Sequence, residues 1–436
     1  MMRKVLLMLL AAAMLAASLT ACKSGDDTAE TGTGTGAGTT AEIEAETAIP
    51  RFDYMDADVA GDVTISREDY TNITLTISNA YKVEEDDVQA YLKSSILFPK
   101  RTAVNGTTMV KDQPLKLGDD AYIYYKGFVD GKAFDGGSNW DDEKPYTLGL
   151  GSGAFIPGFE DALVGLVPNT TSKNKPAEIK VTFPEDYAEE LAGKETTFQI
   201  VVEYAVQYTL PEYTRDFVVN TLKYKPKQEF YASDEALLDE FEDYVYDTLV
   251  AKNATNVANA KVDALWNHLT EKAVCKNLPE TEVNYYFDAY KSEVEYYFDY
   301  YNSMGNEEFK KAYPDIDTFA VVYLGLEKGA DWKAEITKMA ELMVSRDMIT
   351  HAIAEKEGLE TVTEEEFNAQ VDSWVEQYQG YMTAEDIIQN MGKVFLTEAA
   401  FAEKLDKWLM DQVTFTYEDG TPLVSNTENE AETETA

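Results

Sequence analysis

The chain has 436 residues, several times a small domain, and 44% of them are hydrophobic, so more than one folded unit with a sizeable core is expected. Asp and Glu number 80 against 37 Lys and Arg, and the formal net charge of −43 repels nucleic acid and anionic membrane surfaces, so ribosome binding is not expected. The two histidines, His268 and His351, and the two cysteines, Cys22 and Cys275, form no metal-site spacing, so neither a metal nor another cofactor is expected.

At the N-terminus, Arg3 and Lys4 precede an apolar run from Val5 to Leu19 that ends in Leu19-Thr20-Ala21-Cys22. This pattern is similar to a bacterial lipoprotein signal over residues 1–22, cleaved before a lipid-bearing Cys22. The run is shorter than the roughly 20 residues that span a bilayer. The expected location is the extracytoplasmic face of a cell membrane, with the lipid as the membrane contact. A lipidated Cys22 leaves Cys275 without an internal disulfide partner, and Ala273-Val274 beside it suit a buried, inert thiol. Residues 23–62 are mostly Thr, Gly, Ala and acidic residues, which predicts a flexible, disordered linker.

Residues 63–115 read as a small connecting element. Ile73-Thr74-Leu75-Thr76-Ile77 alternates as a strand, and Glu84 to Leu97 is helical in pattern, with Val88, Tyr91, Leu92 and Ile96 on one side. Over residues 116–208 the pattern changes to short strands between Gly, Pro and Asp turns, among them Tyr122-Ile123-Tyr124-Tyr125 and the strand from Phe198 to Tyr204. The helix signal there is confined to Phe159-Glu160-Asp161-Ala162-Leu163-Val164.

Residues 209–422 are almost wholly helical in pattern, with breaks at Pro279, Pro314, Gly358 and Gly392 and N-terminal caps at Ser233-Asp234-Glu235 and Thr363-Glu364-Glu365-Glu366. The acidic tail, 423–436, is expected to be disordered. The fold class is therefore α+β, an antiparallel sheet domain with one short helix followed by a large all-α region. Within the latter, Val283-Asn284-Tyr285-Tyr286-Phe287-Asp288-Ala289-Tyr290 recurs eleven residues on as Val294-Glu295-Tyr296-Tyr297-Phe298-Asp299-Tyr300-Tyr301. Val283, Phe287, Tyr290, Val294, Tyr297 and Tyr301 form a seam of 4-3 spacing, and the remaining rings either pack on a second side or present an aromatic surface to clients.

The most specific stretch runs from Tyr124 to Phe198. It contains Tyr124-Tyr125-Lys126-Gly127, Asp130-Gly131-Lys132-Ala133-Phe134-Asp135-Gly136-Gly137, then Ala154-Phe155-Ile156-Pro157-Gly158-Phe159-Glu160, and Val181-Thr182-Phe183-Pro184-Glu185-Asp186-Tyr187. In this order the stretch resembles the FKBP family of peptidyl-prolyl isomerases. Any one of these aromatics taken alone is more often core than pocket. Gly151-Ser152-Gly153 is no nucleotide loop, since no Gly-Lys-Ser/Thr follows it.

The resemblance implies an FKBP-like antiparallel sheet with an apolar pocket. Its catalytic positions fall on Tyr125, Phe134, Asp135, Ile156, Phe159 and Phe198, and its further substrate contacts on Tyr146, Phe155 and Tyr187. Phe159 is implied as the floor, where many relatives carry Trp, and the Ile156 N–H as a donor to a substrate carbonyl. Phe134, Tyr146 and Phe198 are implied as walls, and Asp135 as a stabiliser of the twisted amide. Beyond Tyr187, where many relatives place a second tyrosine, this chain has Ala188-Glu189-Glu190, which implies a lower activity or a different substrate preference.

Further motifs are similar to the trigger factor family, chaperones that carry an FKBP-type insertion. They are Leu191-Ala192-Gly193-Lys194, Leu210-Pro211-Glu212, Asp216-Phe217-Val218, Leu278-Pro279-Glu280-Thr281-Glu282-Val283, and Ala352 to Leu359 followed by Val362-Thr363-Glu364-Glu365-Glu366. This resemblance implies a trigger-factor-like all-α C-terminal domain and, as partners, unfolded or partly folded exported polypeptides that contain proline. That family's basic ribosome-docking signature is missing near the N-terminus. The alternatives are a holdase whose FKBP-like domain only binds clients, and a solute-binding lipoprotein, which the long helical half disfavours.

Overall fold

The computed structural model describes residues 52, 54 and 59–423, without 105, 107, 185, 186, 189, 379 and 380, and without the side chain of Asp135. The expected signal with Cys22, nearly all of the expected linker and the tail beyond Leu423 lie outside the described residues.

Two short strands come first, β1 (Val63–Thr64) and β2 (Ile73–Ile77). Helix α1 (Glu85–Tyr91) continues through a π-helical stretch, Leu92–Leu97, and a 3-10 turn, Phe98–Lys100. Strands β3 (Thr102–Ala103), β4 (Met109–Val110), β5 (Asp120–Val129), β6 (Lys132–Ser138) and β7 (Tyr146–Gly149) lead to the short helix α2 (Phe159–Leu163). Then come β8 (Ala177–Thr182), β9 (Glu195–Val206), β10 (Tyr208–Thr209), the long helix α3 (Asp234–Lys272) and β11 (Val274–Cys275). Helices α4 (Glu280–Ser303), α5 (Glu307–Ala312), α6 (Ile316–Tyr323), α7 (Trp332–Glu357), α8 (Glu364–Gln377), α9 (Ala384–Met391) and α10 (Lys393–Asp411) precede the last strand, β12 (Val413–Tyr417).

Residues 78–257 form one compact unit. Its antiparallel sheet is ordered β4-β9-β5-β6, with β7 also beside β5 and β8 beside β9. Asp130 and Gly131, with φ of 50° and 74°, join β5 to β6 through a turn whose twist suits a two-residue hairpin. Strand alternation turns Ala121 and Ile123 inward, and α2 lays Phe159 and Leu163 on the same core with Leu148, Leu150 and Ile200.

A second core in this unit is helical. Val88 and Leu92 pack with Phe217, Val218 and the α3 residues Leu237, Phe241 and Val245. The helix expected as part of a connecting element is thus half of a packed layer. Residues 213–249 pack with it, so the expected division into one helical domain over 209–422 is corrected. The apolar side of residues 88–97 demanded a partner, and α3 supplies it.

The second unit takes the described residues up to Ile77 together with those from Ala258 onward. Its core joins Leu265 and Leu269 of α3, Tyr290 and Val294 of α4, Ile336 and Ile353 of α7, and Phe401 and Leu405 of α10. Tyr54, Val59, Val63, Ile65 and Tyr70 are buried in the same core, so the expected flexible linker does not extend to residue 62. The described apolar residues of this stretch, Phe52, Tyr54, Val59 and Ala60, lie in or against the core, and composition alone averages them away. The Phe52 N–H donates to the fully buried Glu282 carboxylate at 3.0 Å. Strand β2 runs parallel to β12, with Ile73 opposite Val413 and Ile77 opposite Tyr417.

All four predicted breaks fall at helix ends. Gly358 closes α7 with φ 70°, and Thr363 opens α8 through a reciprocal pair of hydrogen bonds with Glu366. Trp266, Trp332 and Trp374 are core, and Trp408 is half-buried. On α4 the buried stripe is Glu282, Tyr286, Tyr290 and Val294, one residue in four. Of the expected 4-3 seam, Tyr290 and Val294 are buried and Val283, Phe287 and Tyr297 pack against the same core, while Tyr301 is corrected: it is 40% exposed, and Tyr296 and Tyr300 outside the seam are 45% exposed. Steps of four form the ridge that meets α7, where the Tyr286 hydroxyl donates to Asp347 at 2.8 Å. Among the described residues no helix is long and apolar enough to cross a membrane.

Burial along α4 can be checked directly by urea unfolding. Tyr290→Ala is expected to cost about 3–5 kcal/mol, the range for emptying a buried aromatic site. Tyr300→Ala is expected to stay within about 0.5 kcal/mol of the parent. Equal costs would contradict the observed face.

Candidate active site

The inner face of the sheet ends in a ring of aromatic side chains. Tyr125 comes from β5, Phe134 from β6, Tyr146 from β7 and Phe198 from β9. The loop between β7 and α2 adds Phe155 and Ile156, and the segment after β8 adds Phe183, Pro184 and Tyr187. Together they border an open hollow of about 540 Å³.

Most of the rings meet edge to face, the arrangement their quadrupoles favour. Phe198 stands edge-on to Phe159 at 5.0 Å and to Phe134 at 6.1 Å between centroids. Tyr125 meets Phe155 at 5.2 Å, and Phe134 meets Phe183 at 5.7 Å. The Phe134 ring lies over Gly127 and Gly137, where a β-carbon would come within 2.7 Å and 2.5 Å of it. Both positions therefore need glycine.

Of the sequence-derived positions, Tyr125, Phe134, Tyr146, Phe155, Ile156, Tyr187 and Phe198 border the hollow. Phe159 is corrected from surface to support. It is fully buried, and the Phe155 ring covers it at 4.4 Å, so the floor of the hollow is Phe155 resting on Phe159. The side chain of Asp135 and the whole of Glu189 lie outside the described residues.

Two polar groups at the hollow stand open. Among the described residues neither the Ile156 N–H nor the Tyr125 hydroxyl has a hydrogen-bond partner. Burial, reinforced by Tyr146 and Asp142, raises the Tyr125 pKa above the ordinary tyrosine value, so the hydroxyl keeps its proton at neutral pH.

Three contributors were not singled out from the sequence. Phe183, 4% exposed, backs the Phe134 wall; its place in the quoted Phe183-Pro184 motif was the available signal. Asn139 holds the middle of β5, accepting from the Tyr125 N–H at 2.6 Å and donating to the Ile123 carbonyl at 3.0 Å. Glu160, 6% exposed, gathers the β7–α2 loop. One of its oxygens accepts from the N–H groups of Gly151 at 2.6 Å and Gly153 at 3.2 Å. The other accepts from Ala154 at 2.8 Å, Phe155 at 3.3 Å and the Ser152 hydroxyl at 3.1 Å. The sequence offers only an acid in the first turn of a helix, a common choice on dipole grounds that does not reveal this role.

Among the described residues no group of three His, Cys, Asp or Glu side chains could hold a metal ion. Cys275 is half-buried, 3.7 Å from the Ser345 carbonyl, and burial pushes its thiol pKa up, which disfavours the reactive thiolate.

Residues 111–208 match the family model of the FKBP-type peptidyl-prolyl cis-trans isomerase, and residues 237–411 match that of the bacterial trigger factor C-terminus. Trigger factor from Halothermothrix orenii is 30% identical over 67% of this chain and 59% of its own length. That from Halalkalibacterium halodurans is 30% identical over 68% and 60%. The chain thus spans about three fifths of these relatives. Trigger factor from Lactiplantibacillus plantarum reaches 40% identity over 34% of this chain and 30% of its own. A solved trigger factor chaperone aligns with TM-score 0.33 at 14% identity over 80% of this chain and 72% of that one, too low for comparing how the parts are disposed. The FKBP-type match thus lies on the sheet that bears the aromatic hollow and the trigger factor match on the helices after it, so over those residues the chain is similar to FKBP-type isomerases and to trigger factors.

Proposed function

We propose that the protein is a lipid-anchored peptidyl-prolyl cis-trans isomerase and folding chaperone for exported polypeptides. The observation that carries the isomerase reading is the ring-lined hollow with an open N–H and an open hydroxyl at its edge. The obstacle to X-Pro rotation is amide resonance, a barrier of about 18–20 kcal/mol that holds the uncatalysed change to tens or hundreds of seconds. No nucleophile is needed to lower it. The twisted amide is less polar than either planar form, so an apolar hollow favours the twisted state.

In this proposal the proline ring packs on Phe155 above Phe159, between the Phe134 and Phe198 walls. The Ile156 N–H donates to a substrate carbonyl, and the Tyr125 hydroxyl, held protonated, offers a second donor. Tyr146 and Tyr187, 43% and 46% exposed, flank the entrance and contact neighbouring substrate residues. Asp135 stabilises the twisted amide electrostatically. Rotation is completed without any bond being made or broken.

The lipid anchor at Cys22 and an extracytoplasmic location are supported by the signal-like run from Arg3 to Cys22 and by the charge of −43. Clients would then be proteins that have crossed the membrane, and ribosome docking has no part in the proposal. A separate holding function is favoured by the exposed residues Tyr296, Tyr300 and Tyr301 of α4, Met304 just after it, and Val322 and Tyr323 of α6. Rings with polar tips suit varied unfolded segments.

The isomerase reading predicts faster refolding of a proline-limited substrate protein, with Phe134→Ala lowering kcat/KM at least tenfold, about 1.4 kcal/mol of transition-state binding. Equal refolding rates with and without the protein would end this reading. The holding reading predicts that Tyr300→Ser combined with Tyr301→Ser and Val322→Ser weakens suppression of client aggregation and leaves isomerase rates unchanged. Undiminished suppression would count against the band. For the anchor, a clickable fatty acid is expected to label the wild type in a bacterial host but not Cys22→Ser, and label on both would exclude Cys22 as the site.

A further inference from the structure

The loop that carries Phe155 and Ile156 is gripped from a second side, by the segment that continues α1 in the same unit. The Phe98 ring lies against Gly149, where a β-carbon would fall 2.3 Å from it. At Gly151 the same construction comes 3.5 Å from Lys93 Cε, and at Gly153 3.3 Å from Ser94 Cβ. Gly149 must lack a side chain for Phe98 to approach, a β-carbon at Gly153 would be tight against Ser94, and one at Gly151 would be in ordinary contact with Lys93, so one face of residues 93–98 packs along this loop. The Lys93 ammonium also pairs with Asp161 of α2, the residue next to Glu160. Arg101 covers the Phe98 ring, 3.7 Å from its centroid, and pairs with Asp120 at the start of β5 at 2.7 Å.

This segment is not a free flap. Its Val88 and Leu92 lie in the helical core with Leu237, Phe241 and Val245 of α3. The β7–α2 loop is therefore held between the Glu160 carboxylate on its inner side and a helix committed to a different core on its outer side.

Resting on the isomerase reading of the hollow, we propose that residues 93–98 are a positioning element for it. Phe98, Ser94 and Lys93 touch no substrate. They fix the loop that sets Phe155 and the Ile156 N–H, so the seating of the helical layer determines how well the twisted amide is bound. Misplacement by about 1 Å at such a distance from the chemistry is enough to cost up to a hundredfold in rate.

The test uses the full chain and two readouts. Hydrogen exchange, followed by mass spectrometry, reports the loop amides of residues 151–155, and a proline peptide assay gives kcat and KM. Phe98→Ala is expected to speed loop exchange and lower kcat/KM about tenfold, with the loss mainly in kcat, and Phe98→Leu to restore most of it. Gly149→Ala, which drives a methyl into the ring, is expected to lower kcat/KM in the parent but much less in Phe98→Ala, because the two changes share one contact. The positioning role is overturned if Phe98→Ala leaves both loop exchange and kcat/KM unchanged, or if Gly149→Ala costs the same in both backgrounds. An inactive wild type would overturn the isomerase reading instead. Loop exchange and proline-peptide affinity in Phe98→Ala and Phe98→Leu then decide the positioning role: faster exchange with weaker binding supports it, and no change in either overturns it.

Discussion

A single buried carboxylate shapes the hollow. The turn from β7 into α2 must lift Phe155 and Ile156 over the sheet, and a chain so tightly turned cannot satisfy its own N–H groups through a strand or a helix. Glu160 accepts from four of them and from the Ser152 hydroxyl. Each donor left unpaired in such a place would cost about 1–3 kcal/mol, so the carboxylate and the loop conformation stand or fall together. The aromatic ring depends on this in turn. Phe155 covers Phe159 only while the loop holds its height, and Phe159 stays dry only while Phe155 covers it.

That dependence explains what could and could not be read from the sequence. The residues bordering the hollow were legible because their order along the stretch from Tyr124 to Phe198 is rigid: alternate strand positions point inward, and turn glycines fix which positions those are. The role of Glu160 was not legible, since an acid in the first turn of a helix is an ordinary choice on dipole grounds alone. Phe159 was assigned to the surface of the floor because position in a motif says which residue lies centrally, not which neighbour lies on top of it. Here Phe155, immediately before the Ile156-Pro157-Gly158 turn and four residues from Phe159 in the chain, has closed over it at 4.4 Å.

Longer-range pairings were illegible for a different reason. The alternation in Ile73–Ile77 announces a strand but carries no address, and its partner is Val413–Tyr417 at the other end of the chain. Phe52, Tyr54 and Val59 stand singly among acidic residues, so a window average reads their stretch as solvated while the helical core takes in Tyr54 and Val59. The same limit applies to the tyrosine repeat of α4. Eleven residues bring both copies to nearly the same face whichever face that is, and the choice between steps of 4-3 and steps of four was made by α7 through the Tyr286–Asp347 bond.

The two kinds of aromatic surface in this chain follow from opposite uses of one side-chain type. In the hollow, rings are stacked on one another's edges and face a space of about 540 Å³, so their apolar area is preorganised for one small group. Tyr296, Tyr300 and Tyr301 of α4 lie outward near Tyr323 of α6, whose hydroxyl donates to Glu293, a surface able to meet many shapes and to order none of them strongly. An exposed band of that sort invites self-association in a neutral protein. A net charge of −43 opposes the approach of a second copy over the whole surface, at a range the band itself cannot match. A polypeptide segment that carries no such charge meets no such barrier, so in the proposed holding role the acidity that keeps copies apart would leave the rings open to clients.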